Sequence, residues 1–367
     1  MAHPDFLIVG GGIIGCSAAA FAAELGASVL LLEATGIGAG ASGRNSGAVQ
    51  HPFDAVLAEL HHETLRMYRE LADGSRDFAF PAQPAGLLLL TDDEAGARSR
   101  VAELNSAGFG LAAEYLDETA VQEAEPMVAP GWAAVRLATG YPIPPDAATR
   151  AFAARAAAAG AELRTGARVA AVKGRAVGLQ DGSTLEAGAV LVAVGPWSSD
   201  LLAGSAAAAI RPTYGVTLQV SVPDAPRSVL EEGAVHTVNR PVGDDEPNDG
   251  LVTFSMVSVG GTSTVGSTFL ARAADPTTLA PQLLANGARF VPALAGREVL
   301  RSRVCARPQS PDGRPFIGPL DGSPGTFVAA GHGPWGISTG PASAALAVAS
   351  ILDGGEIPAA LEAGRAI

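Results

Sequence analysis

The stretch Asp5-Phe6-Leu7-Ile8-Val9-Gly10-Gly11-Gly12-Ile13-Ile14-Gly15 decides the fold of this chain. Its apolar run is typical of a strand buried on both faces, and the run leads directly into a glycine turn. An alanine-rich helix is predicted from Ile13 until Gly26 ends it, and a second strand follows over residues 30–33. This order of strand, glycine turn, helix and strand predicts the first unit of a parallel, nucleotide-binding sheet.

The glycines and one carboxylate of this unit predict what it binds. Gly10 and Gly12 permit a tight turn and a close approach of the backbone to a pyrophosphate, whereas Gly15 lets the helix pack on the strand. Amides at the start of the helix point at the phosphates. Glu33 can accept hydrogen bonds from both ribose hydroxyls of an adenosine, and its charge disfavours NADP. The fingerprint predicts FAD or NAD without separating them; an ordinary structural turn is the alternative.

Composition limits the class of protein. The 367 residues suffice for two domains, and the formal net charge of −13 disfavours nucleic acid as a partner. No apolar run reaches the roughly 18 residues of a membrane span, and the start shows no signal peptide. The helix after Gly340 contains Ser343 and Ser350, which favours a buried core helix. The only cysteines, Cys16 and Cys305, suit a reducing, cytoplasmic location, and no His or Cys cluster indicates a metal site.

Further elements predict the architecture. Residues 147–159 are typical of a helix. The apolar runs 189–194 and 326–330 are typical of buried strands. By contrast, segments such as 215–220, 251–256 and 260–265 alternate with period 2, as half-buried antiparallel strands do. The polar stretch 243–250 indicates an exposed loop.

The predicted fold class is α/β, built from two domains of α+β character. It consists of a Rossmann-like FAD-binding domain with an inserted, largely antiparallel β substrate domain. The first takes residues 1–84, 144–204 and 303–367, and the second takes residues 85–143 and 205–302.

Five motifs in order resemble the D-amino-acid oxidase superfamily, of the glycine, sarcosine and D-amino-acid oxidase type. The first is the fingerprint at residues 10–15, and the second is the Gly/Ser-rich loop 38–47, which resembles that family's flavin-side loop. Residues 168–169 and 193–197 match two cofactor-contact stretches. Residues 305–318 resemble an R-P-x-[ST]-P-D segment, and residues 331–337 resemble the C-terminal flavin turn. The resemblance covers nearly the whole chain and implies FAD as the cofactor.

The resemblance also implies which residues contact FAD. The implied contacts are Gly10, Gly12, Ile14, Gly15, Glu33 and Ala34; Ala41, Ser42, Arg44, Asn45, Ser46 and Gly47; Val169, Gly195, Trp197 and Arg307; and Gly331, His332, Gly333, Gly336 and Ile337. The last group is expected near the pyrimidine end of the flavin ring, where donors and the start of a helix stabilise negative charge.

The family's chemistry implies the reaction. The substrate is an amino acid or a secondary amine, a hydride passes from its α-carbon to flavin N5, and the resulting imine hydrolyses. O2 then reoxidises the flavin and yields H2O2. One alternative is a D-amino-acid dehydrogenase that passes electrons to a quinone or carrier, and another is oxidation of a 2-hydroxy acid or polyol. A flavin-binding sensor or assembly protein without turnover is an alternative of another class. The sequence leaves the oligomeric state open.

Four side chains are candidates for the substrate pocket. Arg307 matches the carboxylate-binding arginine of glycine oxidases, and a guanidinium pairs bidentately with a carboxylate; its alternative is a structural pair with Asp312 or the nearby loop. His51 either faces the pocket or is a hydrogen-bonded loop histidine. Tyr214 either binds the substrate carboxylate or packs at a strand start. Trp335 replaces the lysine of sarcosine oxidases, which suits a larger or more apolar side chain.

Cys305 raises the question of covalent flavin. Sarcosine oxidases attach FAD through a cysteine seven positions before an aspartate in this segment, and Cys305 stands seven before Asp312. In many relatives a small residue occupies this position and the flavin is non-covalent. Since a buried free thiol is the simpler role for Cys305, non-covalent FAD is expected and a thioether is the alternative.

Overall fold

The computed structural model describes residues 3–233 and 252–367, so the loop predicted over 243–250 lies outside the described residues. The helices are α1 (Ile13–Glu24), α2 (Ala55–Asp73), α3 (Glu94–Ser106), α4 (Glu118–Ala124), α5 (Ala147–Ala158), α6 (Ser198–Leu201), α7 (Pro276–Phe290) and α8 (Gly336–Asp353). The strands are β1 (Phe6–Val9), β2 (Val29–Glu33), β3 (Ala48–Val49), β4 (Leu87–Thr91), β5 (Ala113–Leu116), β6 (Ala133–Leu137), β7 (Tyr141–Pro142), β8 (Glu162–Thr165), β9 (Val169–Lys173), β10 (Ala176–Leu179), β11 (Thr184–Glu186), β12 (Ala189–Val192), β13 (Arg211–Val220), β14 (Val229–Glu232), β15 (Val252–Val259), β16 (Thr262–Thr268), β17 (Arg301–Gln309), β18 (Phe316–Pro319) and β19 (Thr326–Ala330).

A six-stranded sheet in the order β18-β19-β12-β1-β2-β8 contains the nucleotide-binding unit. β1 lies at its centre and pairs in parallel with β2 and β12, so that Leu7 is opposite both Leu30 and Val190. β8 and β19 extend the parallel pairing, and β18 closes one edge in antiparallel fashion. The carboxyl ends of β1, β2 and β12 therefore meet at one edge of the sheet, where ligands of doubly wound sheets bind.

Helices cover one face of this sheet and a small β-meander covers the other. Ile8 and Leu31 point to the helical side, where α1, α5 and α8 pack. The alanines of α1 are almost completely buried, which lets neighbouring helices approach closely. Leu7 and Val190 point to the opposite side and pack with Val177 of the β9-β10-β11 meander.

An eight-stranded, mainly antiparallel sheet has the order β17-β13-β16-β15-β14-β4-β6-β5. β13 pairs with β17 over nine residues, which places Thr213 opposite Arg307. α7 packs on one face, where Phe290 stacks on Phe254 of β15 with ring centroids 4.6 Å apart. Side chains alternate along a strand, so residues 253 and 255 point to the opposite face, toward the site described below.

The mixed architecture of a parallel and an antiparallel sheet confirms the predicted fold class, with one local difference. The strand predicted over 260–265 begins only at Thr262, because Gly260 and Gly261 have φ of 60° and 77° and form the turn between β15 and β16. Glycine adopts positive φ without a steric penalty, so two such residues favour a tight hairpin. The domain boundaries stay a prediction; β17 crosses the one placed between residues 302 and 303.

The C-terminal helical segment is the one part of the described residues long and apolar enough to cross a membrane. Residues 333–353 have a mean hydropathy of 1.3, and 61% of the apolar window is buried in the fold. This segment packs against α1 and α2 in the core, which agrees with the buried core helix predicted from its serines.

Candidate active site

A cavity of about 810 Å³ extends from the glycine turn to the antiparallel sheet. Its walls include residues 9–14, 32–35, 167–169, 193–197, 304–308 and 332–338. The predicted site residues that line it are Gly10, Gly12, Ile14, Glu33, Ala34, Ala41, Ser42, Arg44, Asn45, Ser46, Val169, Gly195, Trp197, Tyr214, Arg307, His332, Gly333, Trp335, Gly336 and Ile337. The structure thus brings together residues that lie more than 300 positions apart in sequence.

The glycine turn is built as the sequence predicts. Gly10 has a φ of 112°, and a side chain there would meet the carbonyl of Ala193. Gly15 does not line the cavity; a side chain on it would collide with the carbonyl of Gly10. The turn therefore brings bare backbone and the N-terminal amides of α1 to the cavity, and Gly15 keeps α1 against the turn.

Glu33 is held in a fixed orientation at the end of β2. Its Oε2 accepts a hydrogen bond of 2.7 Å from the Gly11 amide, and its Oε1 accepts one of 2.8 Å from the Thr35 amide. The half-buried carboxylate lines the cavity and retains accepting capacity, since an ionised carboxylate has about four lone-pair sites. It can therefore bind a ribose hydroxyl while it fixes the turn.

The loop after β2 is held mainly by Asn45. Its Nδ2 donates to the carbonyls of Ser42 at 2.8 Å and Pro145 at 2.9 Å, and its Oδ1 accepts from the Gly47 amide at 2.8 Å. Ser42 Oγ accepts a hydrogen bond from the Ile13 amide at the start of α1. Gly47 lies behind the loop and not on the cavity wall. Asn45 thus keeps the loop against α1, with Ser42 facing the glycine turn.

The C-terminal turn places a neutral imidazole on the cavity wall. His332 is 1% exposed, and neither ring nitrogen has a hydrogen-bond partner among the described residues. Burial lowers the pKa of His332 to about 3, so the ring is uncharged at neutral pH. Gly331 has a φ of 95° and lies behind the wall, whereas Gly336 begins α8 at the cavity.

These features fit FAD. The polar atoms of His332 are buried without a partner, and burying such atoms is costly unless a bound group satisfies them. The bare turn at Gly10 and Gly12 suits a pyrophosphate, and Glu33 suits the adenosine ribose. All of them border one continuous cavity.

Arg307 projects from β17 into the other half of the cavity. Its guanidinium donates to the Thr268 carbonyl at 2.9 Å and to Ser267 Oγ at 2.7 Å, and it lies 4.4 Å from the centroid of the Phe269 ring. Gly215 on the paired strand leaves the room that this side chain occupies. Burial lowers the pKa of Arg307. The guanidinium is therefore fixed in place, desolvated, and left with further N–H donors for an anion.

The geometry shows the partners of the neighbouring charged residues and the environment of Cys305. Asp312 pairs with Arg365 at 2.9 Å and not with Arg307. Arg314 pairs with Asp54, whose side chain caps α2. Cys305 lines the cavity as a buried free thiol, and burial raises its pKa.

His51, one of the candidates for the substrate pocket, does not line the cavity. Its Nδ1 accepts a hydrogen bond from the Phe53 amide at 3.1 Å, which corresponds to the alternative of a loop histidine. Its ring packs with those of His61, His62 and Phe109 at centroid distances of 5.5 to 5.9 Å. Burial, aided by the neighbouring His62, lowers the pKa of His51 to about 4.

Two aromatic candidates remain at the cavity. Tyr214 lies on β13 at the cavity wall, and its backbone forms an isolated antiparallel β-bridge with Leu270. Trp335 is 8% exposed and contacts Phe53 edge-on at 6.2 Å. Trp197 is 53% exposed at the cavity wall, near Gly40.

Sequence reasoning missed Glu231 and Gln50, which also line the cavity. Gln50 Nε2 donates to Glu231 Oε1 at 3.1 Å, and both residues are 7% exposed. Burial raises the pKa of Glu231 to about 7, against the opposing effects of Gln50 and Arg307. The signal in the sequence was an acidic pair, residues 231–232, directly after two apolar residues at the end of a short strand. No group of His, Cys, Asp or Glu that could hold a metal ion occurs within residues 3–233 and 252–367.

Comparisons with known proteins agree with this site. The family model described as FAD dependent oxidoreductase (DAO) matches residues 5–350. A glycine oxidase of Geobacillus kaustophilus is 29% identical over 359 residues, which cover 92% of this chain and 90% of that protein. A glycine oxidase of Pseudomonas putida is 29% identical over 364 residues, 93% of this chain and 92% of that protein. The crystal structure of glycine oxidase from Geobacillus kaustophilus superposes with a TM-score of 0.83 at 25% identity and covers both chains completely.

Proposed function

Because this chain belongs to the DAO family of FAD-dependent oxidoreductases, we propose that it oxidises the C–N bond of an amino acid or secondary amine whose carboxylate Arg307 binds. The two similar glycine oxidases support this substrate class, since each matches over nine-tenths of the chain. We further propose that O2 accepts the electrons and becomes H2O2, as the name oxidase implies for those relatives. The six-stranded sheet would then belong to the FAD-binding domain and most of the eight-stranded sheet to the substrate domain.

The residues of the nucleotide half of the cavity would hold the cofactor. Bound FAD supplies the hydride acceptor for the α-hydrogen of the substrate. Gly10 and Gly12 leave the backbone bare for the pyrophosphate, and Glu33 accepts from the ribose. His332 stays uncharged and offers one ring nitrogen as donor, and α8 points its positive end at the same region.

The fixed position of Arg307 is the observation that carries the proposal. Ser267, Thr268 and Phe269 hold the guanidinium from one side, so its planar fork is already oriented before a ligand arrives. Arg307 is half-buried, and a carboxylate that pairs with its guanidinium would offset the cost of removing that charge from water. Within the described residues no salt bridge of Arg307 is found.

Anaerobic reduction of the flavin tests the proposed reaction directly. The purified holoenzyme is mixed without O2 with amino acids, N-methyl amino acids and the matching 2-hydroxy acids, and loss of the flavin colour is followed. We expect bleaching by members of the amino-acid set, and H2O2 in stoichiometric amount when O2 is admitted. Bleaching only by hydroxy acids would contradict the C–N assignment, whereas bleaching without H2O2 would contradict O2 as the acceptor and favour a dehydrogenase.

A further inference from the structure

A row of side chains crosses four strands of the antiparallel sheet at the cavity. Thr217 of β13 lies opposite Gly266 of β16, Gly266 lies opposite Ser255 of β15, and Ser255 lies opposite Glu231 of β14. Directly opposed residues project to the same face of a sheet. A side chain on Gly266 would contact both Thr217 and Ser255, which shows that the glycine leaves a gap between them. Thr217, Ser255 and Glu231 all line the cavity.

Two side chains at this part of the cavity, Thr217 and Gln50, each bury a polar atom that has no hydrogen-bond partner among the described residues. Thr217 is 4% and Gln50 7% exposed, and neither Thr217 Oγ1 nor Gln50 Oε1 has a hydrogen-bond partner among the described residues. The amide of Gln50 is oriented by its bond to Glu231, which requires the NH2 group to face the carboxylate and leaves the oxygen on the other side. A buried acceptor without a partner is costly, so these atoms indicate a ligand that donates hydrogen bonds.

Charge and distance indicate which ligand. The Arg307 guanidinium donates to Ser267 of β16, and Glu231 lies two strands away on β14, which corresponds to about 10 Å across the sheet. One end of this pocket is therefore cationic, and the other end carries the Glu231 carboxylate and the Gln50 oxygen. Burial raises the pKa of Glu231, and a cation beside the carboxylate would offset that cost. A short zwitterion matches this polarity, because its carboxylate can face the guanidinium while its ammonium group, one carbon away, faces the Glu231 carboxylate.

We propose that Gln50, Ser255 and Glu231 form a second subsite, which binds the α-ammonium group of a zwitterionic amino acid whose carboxylate lies on Arg307. This inference rests on the proposed function and specifies its substrate class. It predicts that the protein selects amino acids over hydroxy acids of the same shape, because a hydroxyl brings no positive charge to Glu231. It also revises the expectation from Trp335 of a more apolar substrate: the sheet side of the pocket is polar.

Two ligands that cannot be oxidised test the subsite. The ligand 2-aminoisobutyrate carries a carboxylate and an α-ammonium but no α-hydrogen, and 2-hydroxyisobutyrate replaces the ammonium by a hydroxyl. Each is titrated into the wild-type and Glu231→Gln holoenzymes, with the flavin absorbance as the signal. We expect Glu231→Gln to weaken binding of 2-aminoisobutyrate by about ten- to a hundred-fold. Binding of 2-hydroxyisobutyrate should stay within about three-fold or become tighter, because a negative charge has been removed.

Two further variants control the experiment. Glu232→Gln makes the same change one position along β14, where the side chain accepts from the Phe254 amide and does not line the cavity; it should bind both ligands like the wild type. Ser255→Ala removes the hydroxyl directly opposite Glu231 and should weaken 2-aminoisobutyrate binding a few-fold. It provides the test if Glu231→Gln fails to fold, as judged by FAD content and melting temperature.

The outcomes separate this inference from the proposed function. Equal weakening of both ligands in Glu231→Gln, an unchanged affinity for 2-aminoisobutyrate, or no binding of it by the wild type would overturn the subsite. Oxidation of the amino acids and N-methyl amino acids used to test the proposed function is measured in the same preparations. Oxidation that does not depend on Glu231 would keep the proposed function and reject the subsite, whereas Glu231-dependent binding without any oxidation would reject the function alone.

Discussion

At the scale of single residues, the guanidinium of half-buried Arg307 and the carboxyl group of buried Glu231 line the part of the cavity formed by the antiparallel sheet. Arg307 and Glu231 lie on different strands and influence each other's pKa in the directions expected for an attractive pair. Isolated buried charges are costly, and each of these two is accompanied by hydrogen bonds that hold its orientation. Such an arrangement favours a ligand that brings the complementary charges with it.

Cys305 gives a prediction about the cofactor linkage. Its thiol is 4% exposed, and burial raises its pKa, so the nucleophilic thiolate is disfavoured. We expect acid precipitation of the holoenzyme to release all FAD into the supernatant, measured by its absorbance, and Cys305→Ser to behave identically. A yellow protein pellet from the wild type that becomes colourless in Cys305→Ser would show a thioether instead.

The residues that sequence predicted and those it missed differ in how their positions are determined. The glycine turn and Glu33 belong to one local unit whose spacing fixes the geometry, and Arg307 lies in a motif that resembles a known family. Glu231 and Gln50 are 181 positions apart and meet only through the pairing of distant strands. His51 was placed outside the pocket by side-chain packing with other rings, which spacing along the chain does not encode.

At the scale of elements, the pairing of β13 with β17 determines where the guanidinium of Arg307 lies. Gly215 is opposite Cys305, and a Cβ atom on Gly215 would lie 2.5 Å from Cζ and 2.6 Å from Nη1 of Arg307. Alternation of side chains along both strands thus requires a small residue at this position. The periodicity of residues 215–220 predicted a strand. Why this strand has a glycine at position 215 becomes clear only from its pairing register with β17.

Gly215→Ala tests this packing. The added methyl must displace the guanidinium, and we expect kcat/KM for the amino-acid substrate to fall by about ten- to a hundred-fold. FAD content should remain that of the wild type, because the nucleotide half of the cavity is untouched. Gly178→Ala is a suitable control, since Gly178 also lies in a strand and a Cβ there has 4.0 Å of clearance from Ala171. An unchanged kcat/KM in Gly215→Ala would contradict the assigned position of Arg307 in the substrate complex.

At the scale of the whole molecule, buried titratable groups link stability to pH. Burial lowers the pKa of His61 to about 3, of His332 to about 3 and of His51 to about 4, whereas the unfolded chain protonates its histidines near pH 6.5. Between about pH 6.5 and 4 the unfolded state therefore binds more protons at these sites, and stability falls as the pH falls. Glu231, whose pKa is raised, acts with the opposite sign between its folded pKa near 7 and its unfolded value.

His61→Gln isolates one of these contributions. His61 Nδ1 lies 3.2 Å from the Ser338 carbonyl, and glutamine retains a donor without a group that titrates in this range. We expect the free energy of unfolding of the wild type to decrease more steeply with falling pH than that of the variant, by about 1.4 kcal/mol per pH unit between pH 6 and 4. Chemical denaturation at several pH values measures both slopes, and parallel slopes would show that His61 is protonated in the folded state.

The fold as a whole was accessible from sequence because its two halves carry different periodicities. Continuous apolar runs predicted the parallel strands of the six-stranded sheet, and alternating runs predicted the antiparallel strands. The joining of the two sheets into one cavity was not accessible in the same way. It depends on β17, which pairs in the antiparallel sheet while residues 304–308 line the cavity beside the loop 38–47.

The most direct test of the proposed function is anaerobic flavin reduction by Arg307→Ala, measured with an amino acid and with a simple amine that lacks the carboxylate. We expect kcat/KM for the amino acid to fall by some thirty- to several-thousand-fold, which corresponds to a charge-assisted pair of roughly 2–5 kcal/mol. The amine should be affected little, FAD content should stay near that of the wild type, and Arg307→Lys should restore little of the loss. An equal loss on both substrates, or loss of FAD itself, would contradict the assignment of Arg307 as the carboxylate-binding residue.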